Sequence, residues 1–100
     1  MSGSEMDAAV ARATAGLDSL EDALHQLSTA RARVTHPSGL VSVEVDWQGG
    51  MSGLWIAQSL HRVDARDVAR AVVEAAAHAA ALVSDRRDRT LASLEGRLTY

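Results

Sequence analysis

All ten basic side chains of this 100-residue chain are arginines, and most of them fall in groups. Arg62, Arg66 and Arg70 recur every four residues, Arg86, Arg87 and Arg89 form a second group, and Arg31 and Arg33 stand between them and the N-terminus. A guanidinium is permanently charged and presents a planar fork of donors, which suits phosphate oxygens. Acids thread both groups: Asp64 and Asp67 the first, Asp85 and Asp88 the second. The plainer reading is a solvated face of i,i+3 and i,i+4 pairs, each worth a few tenths of a kcal/mol. The functional reading is phosphate contact, with each neutralised phosphate adding about 0.9 to the salt slope on duplex DNA. The residues alone favour the solvated face.

Other chemistry is poorly supported. His25, His36, His61 and His78 show no His-x-x-x-His spacing and no paired carboxylate, so no metal site is expected. His78 reads as a helix-surface or interface residue. Gly49-Gly50-Met51-Ser52-Gly53 lacks the phosphate-loop pattern and lies between two strand-like stretches, so a hairpin turn is expected there. The serines have no partnered base, and a fold this small leaves little interior for a lined pocket. There are no cysteines, which rules out disulfides and thiolate metal sites. No enzyme activity and no cofactor are expected.

The net charge is −3, divided unevenly. The first fifty residues hold three arginines against seven acids, net −4; the last fifty hold seven against six, net +1. A protein that lives on nonspecific phosphate contacts is usually basic, and this one is not. The start, MSGSEMDAA, has no signal-peptide character. The longest apolar stretch, residues 71–83, is broken by Glu74 and His78 and is too short to span a bilayer. These features predict a cytoplasmic protein with no membrane partner. The length predicts a single domain over 1–100 that a dimer would help to stabilise.

The elements that must carry these groups are legible in the periodicity. Met6, Val10, Ala13, Leu17, Leu20, Leu24 and Leu27 make an a/d heptad stripe on a helix over 5–31, after a disordered 1–4. That stripe is either one face of an amphipathic helix packed on its own domain or a helix–helix seam, within the chain or across a dimer. Gly16 weakens the helix by about 1 kcal/mol against Ala. Residues 32–57 predict a three-stranded meander. Val41, Val43, Val45 and Trp47 alternate with Ser42, Glu44 and Asp46, so one face is buried and the other solvated. Asp64 predicts an N-cap with Asp67 in a variant capping box and Val63 and Val68 as a staple, opening a helix over 64–98. Its stripe of Val68, Val72, Ala75, Ala79 and Leu82 fails after residue 83, where Arg86 and Arg87 stand at apolar positions. The helix is expected to leave the domain body or change partner near Ser84. Trp47 and Trp55 are expected to pack on a helix or to close a dimer interface.

In order and wording the chain resembles the YbaB/EbfC family of small bacterial nucleoid-associated proteins. Gly39, Leu40, Val41, Val43 and Val45 match its first patterned strand, and Leu54, Trp55 and Ile56 the second. Leu60 fits the apolar step before the helix, and Val68, Val72, Ala75, Ala76 and Ala79 fit the helix. The resemblance implies an α+β, α-β-β-β-α fold, a homodimer built around the sheet, protruding helices and cytoplasmic DNA binding of low sequence specificity. Typical members carry basic residues where this chain has Ser42, Glu44 and Ser52-Gly53. The hairpin should therefore repel phosphate. DNA contact is expected from Arg62, Arg66, Arg70, Arg86, Arg87 and Arg89, with Arg31 and Arg33 as helpers. The dimer interface is expected from Val41, Val43, Val45, Trp47, Leu54, Trp55 and Ile56. The alternative is a dimeric adaptor or chaperone-like partner of another protein, for example accessory to a specialised secretion system.

Overall fold

The computed structural model describes residues 3–58 and 62–98. Leu60 and His61 lie outside the described residues. The order is helix α1 (Gly3–Thr29), strands β1 (Ala32–Thr35), β2 (Val41–Val45) and β3 (Met51–Ile56), and helix α2 (Ala65–Leu98). The three strands form one antiparallel sheet in the order β1-β2-β3, as the alternation and turn residues predict.

The turns follow from local chemistry. Gly39 and Gly49 take positive φ angles of 75° and 84°, which glycine adopts without a Cβ clash. Asp46, expected on the solvated strand face, instead lies just past the end of β2. Its Oδ1 accepts from the backbone N–H groups of Gln48 and Gly50 and so shapes the turn. On β3 the register passes from Gly53 opposite Glu44 to Met51 opposite Val45, leaving Ser52 as a bulge.

The core is built from small side chains. Ala71, Ala75, Ala79 and Val83 recur every four residues on α2 and are fully buried against Val41, Val43 and Val45 of β2 and Ala32 of β1. Alanines let the helix axis approach the sheet closely. Asp64 caps α2 as expected, its Oδ1 accepting the Arg66 N–H at 2.8 Å. No return bond from the Asp67 carboxylate is found among the described residues.

α2 is continuous through Ser84 for its full 34 residues and changes partner there. Up to Val83 its buried face meets the sheet; beyond it, Leu94 is buried against α1. The helices run antiparallel. Leu98 lies beside Gly16, and the Arg86 guanidinium donates to the Arg31 carbonyl at 3.1 Å. The result is a rod of 77 × 19 × 15 Å, with a sheet-and-helix body at one end, a two-helix arm beyond it, and the first turns of α1 projecting past the end of α2.

The seam of that arm takes only Leu27 from the leucines of the heptad stripe. α1 turns Gly16, Ala23 and Leu27 toward α2, and of its residues Ala23 alone is fully buried. Met6, Val10, Leu17, Leu20 and Leu24 remain 41–61% exposed. Small residues win the intrachain contact because they allow the closer approach, with more dispersion contact along the seam.

Candidate nucleic-acid interface

Three of the arginines join parts of the fold, and Arg97 makes only a local, exposed bond to the Ser93 carbonyl at 3.4 Å. Arg31 donates to the carbonyls of Ser28 and Ala30, and Arg86 to that of Arg31, so two guanidinium groups satisfy carbonyls at the C-terminal end of α1, where no glycine cap exists. Arg87 is half-buried and bonds the Trp47 carbonyl at 3.5 Å and the Ser84 hydroxyl at 3.3 Å, tying α2 to the hairpin loop. Arg33 lies on the sheet face away from α2, with its guanidinium 3.8 Å from the centroid of the Trp55 ring. Beside it Glu44 accepts from the Ser52 hydroxyl, and Thr35 bonds Ser42, so the hydroxyls and the acid of this face are also partnered.

The two helical groups are not brought together. Arg66 and Arg86 are twenty residues apart, which at helical rise is about 30 Å and at helical twist about half a turn around the axis. Arg62, Arg66 and Arg70 are exposed at the body end. Arg62 has a positive φ of 70°, unusual for a residue with a Cβ. Arg70 lines an open groove of about 370 Å³ together with Asp67, Glu74 and His36, so carboxylates offset its field. There His36 Nε2 lies 2.9 Å from the Glu74 carboxylate and joins the β1–β2 turn to α2.

Helical phase sorts the arm differently from the sequence order. Measured from the seam, Arg86 and Arg97 fall on one flank of α2 and Arg89 beyond them, while Asp88 falls on the other, by the rotation of about 100° per residue. On α1 the same construction puts Arg12 on the arginine flank together with Glu5 and, farther round, Asp22; Glu21 falls on the other flank, and Asp7 and Asp18 face away from the seam. The Arg89–Asp85 pair, at 3.8 Å and largely exposed, holds little energy. Arg12 and Arg97 do not stand out by spacing. Their membership becomes visible only when two antiparallel helices are set side by side.

The residues expected to hold a partner divide into two sets. Val41, Val43 and Val45 are no more than 2% exposed within the single chain, and Trp47 is half-buried against the same core. The three valines have almost no surface to present, whereas Trp47 keeps part of its own. Leu54, Trp55 and Ile56 are 43–45% exposed, and Met51 joins them. α2 covers β1 and β2, and β3 is the uncovered edge.

The model of the YbaB/EbfC DNA-binding family matches residues 2–98. The chain belongs to this family. No curated protein and no solved structure matches the chain. YbaB/EbfC membership carries a nucleoid-associated DNA-binding function, and the family is one of DNA-binding proteins, not of enzymes. Among the described residues no helix is long and apolar enough to cross a membrane, and no group of three metal-ligating side chains occurs.

Proposed function

We propose that this YbaB/EbfC member acts in the cytoplasm as a homodimer that binds duplex DNA with low sequence specificity, through arginine–phosphate contacts and without a cofactor. The reading rests on the charge distribution of the arm: Arg12, Arg89 and Arg97 share one side with Glu5 and Asp22, beside Arg86 on the Arg31 carbonyl, while Glu21 and Asp88 lie on the other flank and Asp7 and Asp18 face away from the seam. A net acidic protein can bind phosphate through such a flank, because contact and near-field charge outweigh the distant total once salt screens beyond about 10 Å.

The dimer reading rests on β3. An exposed edge strand bearing Met51, Leu54 and Ile56 invites pairing and is normally covered. A second copy related by a two-fold axis joins edge to edge and continues the sheet.

The test is fluorescence anisotropy of a labelled duplex over a salt series. Affinity should fall steeply with salt and be similar for unrelated sequences. Replacing Arg12, Arg89 and Arg97 by Ser should flatten the salt slope by about 0.9 for each phosphate that is no longer neutralised. An unchanged slope would remove the arm from the interface, and Arg66→Ser with Arg70→Ser would then test the body end.

A further inference from the structure

The flank of the arm opposite the arginines carries an apolar strip with an acidic border, and we propose that it docks a basic amphipathic helix of a partner protein. This inference is independent of the DNA-binding reading. Met6, Val10, Leu17, Leu20 and Leu24 form one stripe of α1 that no described element covers. The stripe lies about a quarter-turn from the seam, in the sense of increasing residue number. On α2, Leu91 lies about a sixth of a turn from the seam residue Leu94 in the same sense, and Leu98, whose tip reaches Gly16, lies nearer the seam; both are more than 40% exposed. Because the helices are antiparallel, rotations in the same sense bring both sets to one side of the pair. Where the two helices lie side by side, Leu17, Leu20 and Leu24 therefore share a face with Leu91 and the exposed part of Leu98, and Met6 and Val10 carry the stripe on along α1 past the end of α2.

Charge selects the occupant. Glu21 borders the strip along α1 and Glu95 and Asp88 border it along α2, while Asp7 and Asp18 stand farther round α1. A second copy of this face would set carboxylates against carboxylates, and DNA would meet the same repulsion. An incoming helix with leucine-like residues at i, i+3, i+4 and i+7 and Lys or Arg flanking them meets both the apolar strip and its border. The heptad spacing of the α1 stripe fits a long, nearly parallel contact of that kind.

The test uses the full chain and two synthetic 21-residue peptides that share one leucine heptad face, flanked by lysine in one and by glutamate in the other. Calorimetry should show binding of the basic peptide, weakened by added salt, and none of the acidic one. Leu17→Ser with Leu24→Ser should weaken the basic peptide by at least about tenfold, since each leucine loses its burial in the complex. The same variant should bind duplex DNA as the parent chain does. Both leucines are exposed, so folding should survive; circular dichroism checks this. A second variant, Glu21→Lys with Asp88→Lys, should shift the preference toward the acidic peptide. The proposal is overturned if the basic peptide fails to bind, if both peptides bind alike, or if the leucine variant binds as well as the parent. It is also overturned if sedimentation shows arms of two copies associating through these leucines.

Discussion

Arg87 and Arg89 stand two residues apart and look alike in the chain, yet they do different work. Arg87 is half-buried with its guanidinium on the Trp47 carbonyl, whereas Arg89 is exposed beside Asp85. Arg87→Ser is therefore expected to cost about 1 kcal/mol or more of stability, through the loss of hydrogen bonds and packing, with little change in duplex affinity. Thermal unfolding paired with a binding titration checks both halves. The outer sheet face offers a second residue-level outcome. A methyl added at Gly53 would lie 2.6 Å from the Trp55 ring, which lies over that glycine and under Arg33. Gly53→Ala should swing the ring off the guanidinium, cost on the order of 1 kcal/mol and shift tryptophan emission. Emission and stability matching the parent would show that the ring does not depend on this space. None of these contacts is legible from spacing, because each joins residues from separate elements.

At the scale of elements, both helices, all three strands and the turns are legible in the sequence. Their signals are local: alternating valines, a capping aspartate, glycines at positive φ. For the same reason α1 is legible only in part. The heptad leucines advertise a seam, but the intrachain seam uses Gly16, Ala23 and Leu27, and the first two are small residues with little hydropathy signal. Gly16, a weak point by helix propensity, is one wall of that seam. A methyl there would meet Leu98 at 3.4 Å, which is contact without overlap. Gly16→Ala should thus stabilise the chain by up to about 1 kcal/mol through helix propensity, seen as a raised midpoint in urea. A lowered midpoint would mean that the helices cannot yield even that far.

The whole molecule is a rod with its chemistry divided along and around it. The body supplies the core and an open sheet edge; the arm supplies an arginine flank and an apolar flank. A homodimer through β3 makes a direct demand on Leu54. Leu54→Glu should convert the dimer to monomer in sedimentation while leaving the single chain folded, since α2 does not cover β3. A dimer that persists would move the interface elsewhere. Splitting the dimer should also weaken DNA binding, because two linked arms engage a duplex at a high effective concentration.

The α-β-β-β-α order, the family, the sheet's buried face and the place near Ser84 where α2 changes partner can all be read along the chain. Hydrophobic period and turn chemistry act within a few residues, and these features need nothing more. Tertiary packing settles the rest: which arginines are free, that the two arginine groups lie far apart, and which face of α1 is left uncovered. Those depend on the phase at which two helices meet, and that phase is set by the best packing between them. Sequence order mixes Arg86, Arg87, Asp88 and Arg89 into one charged run; a rotation of about 100° per residue sends them to different sides of the arm.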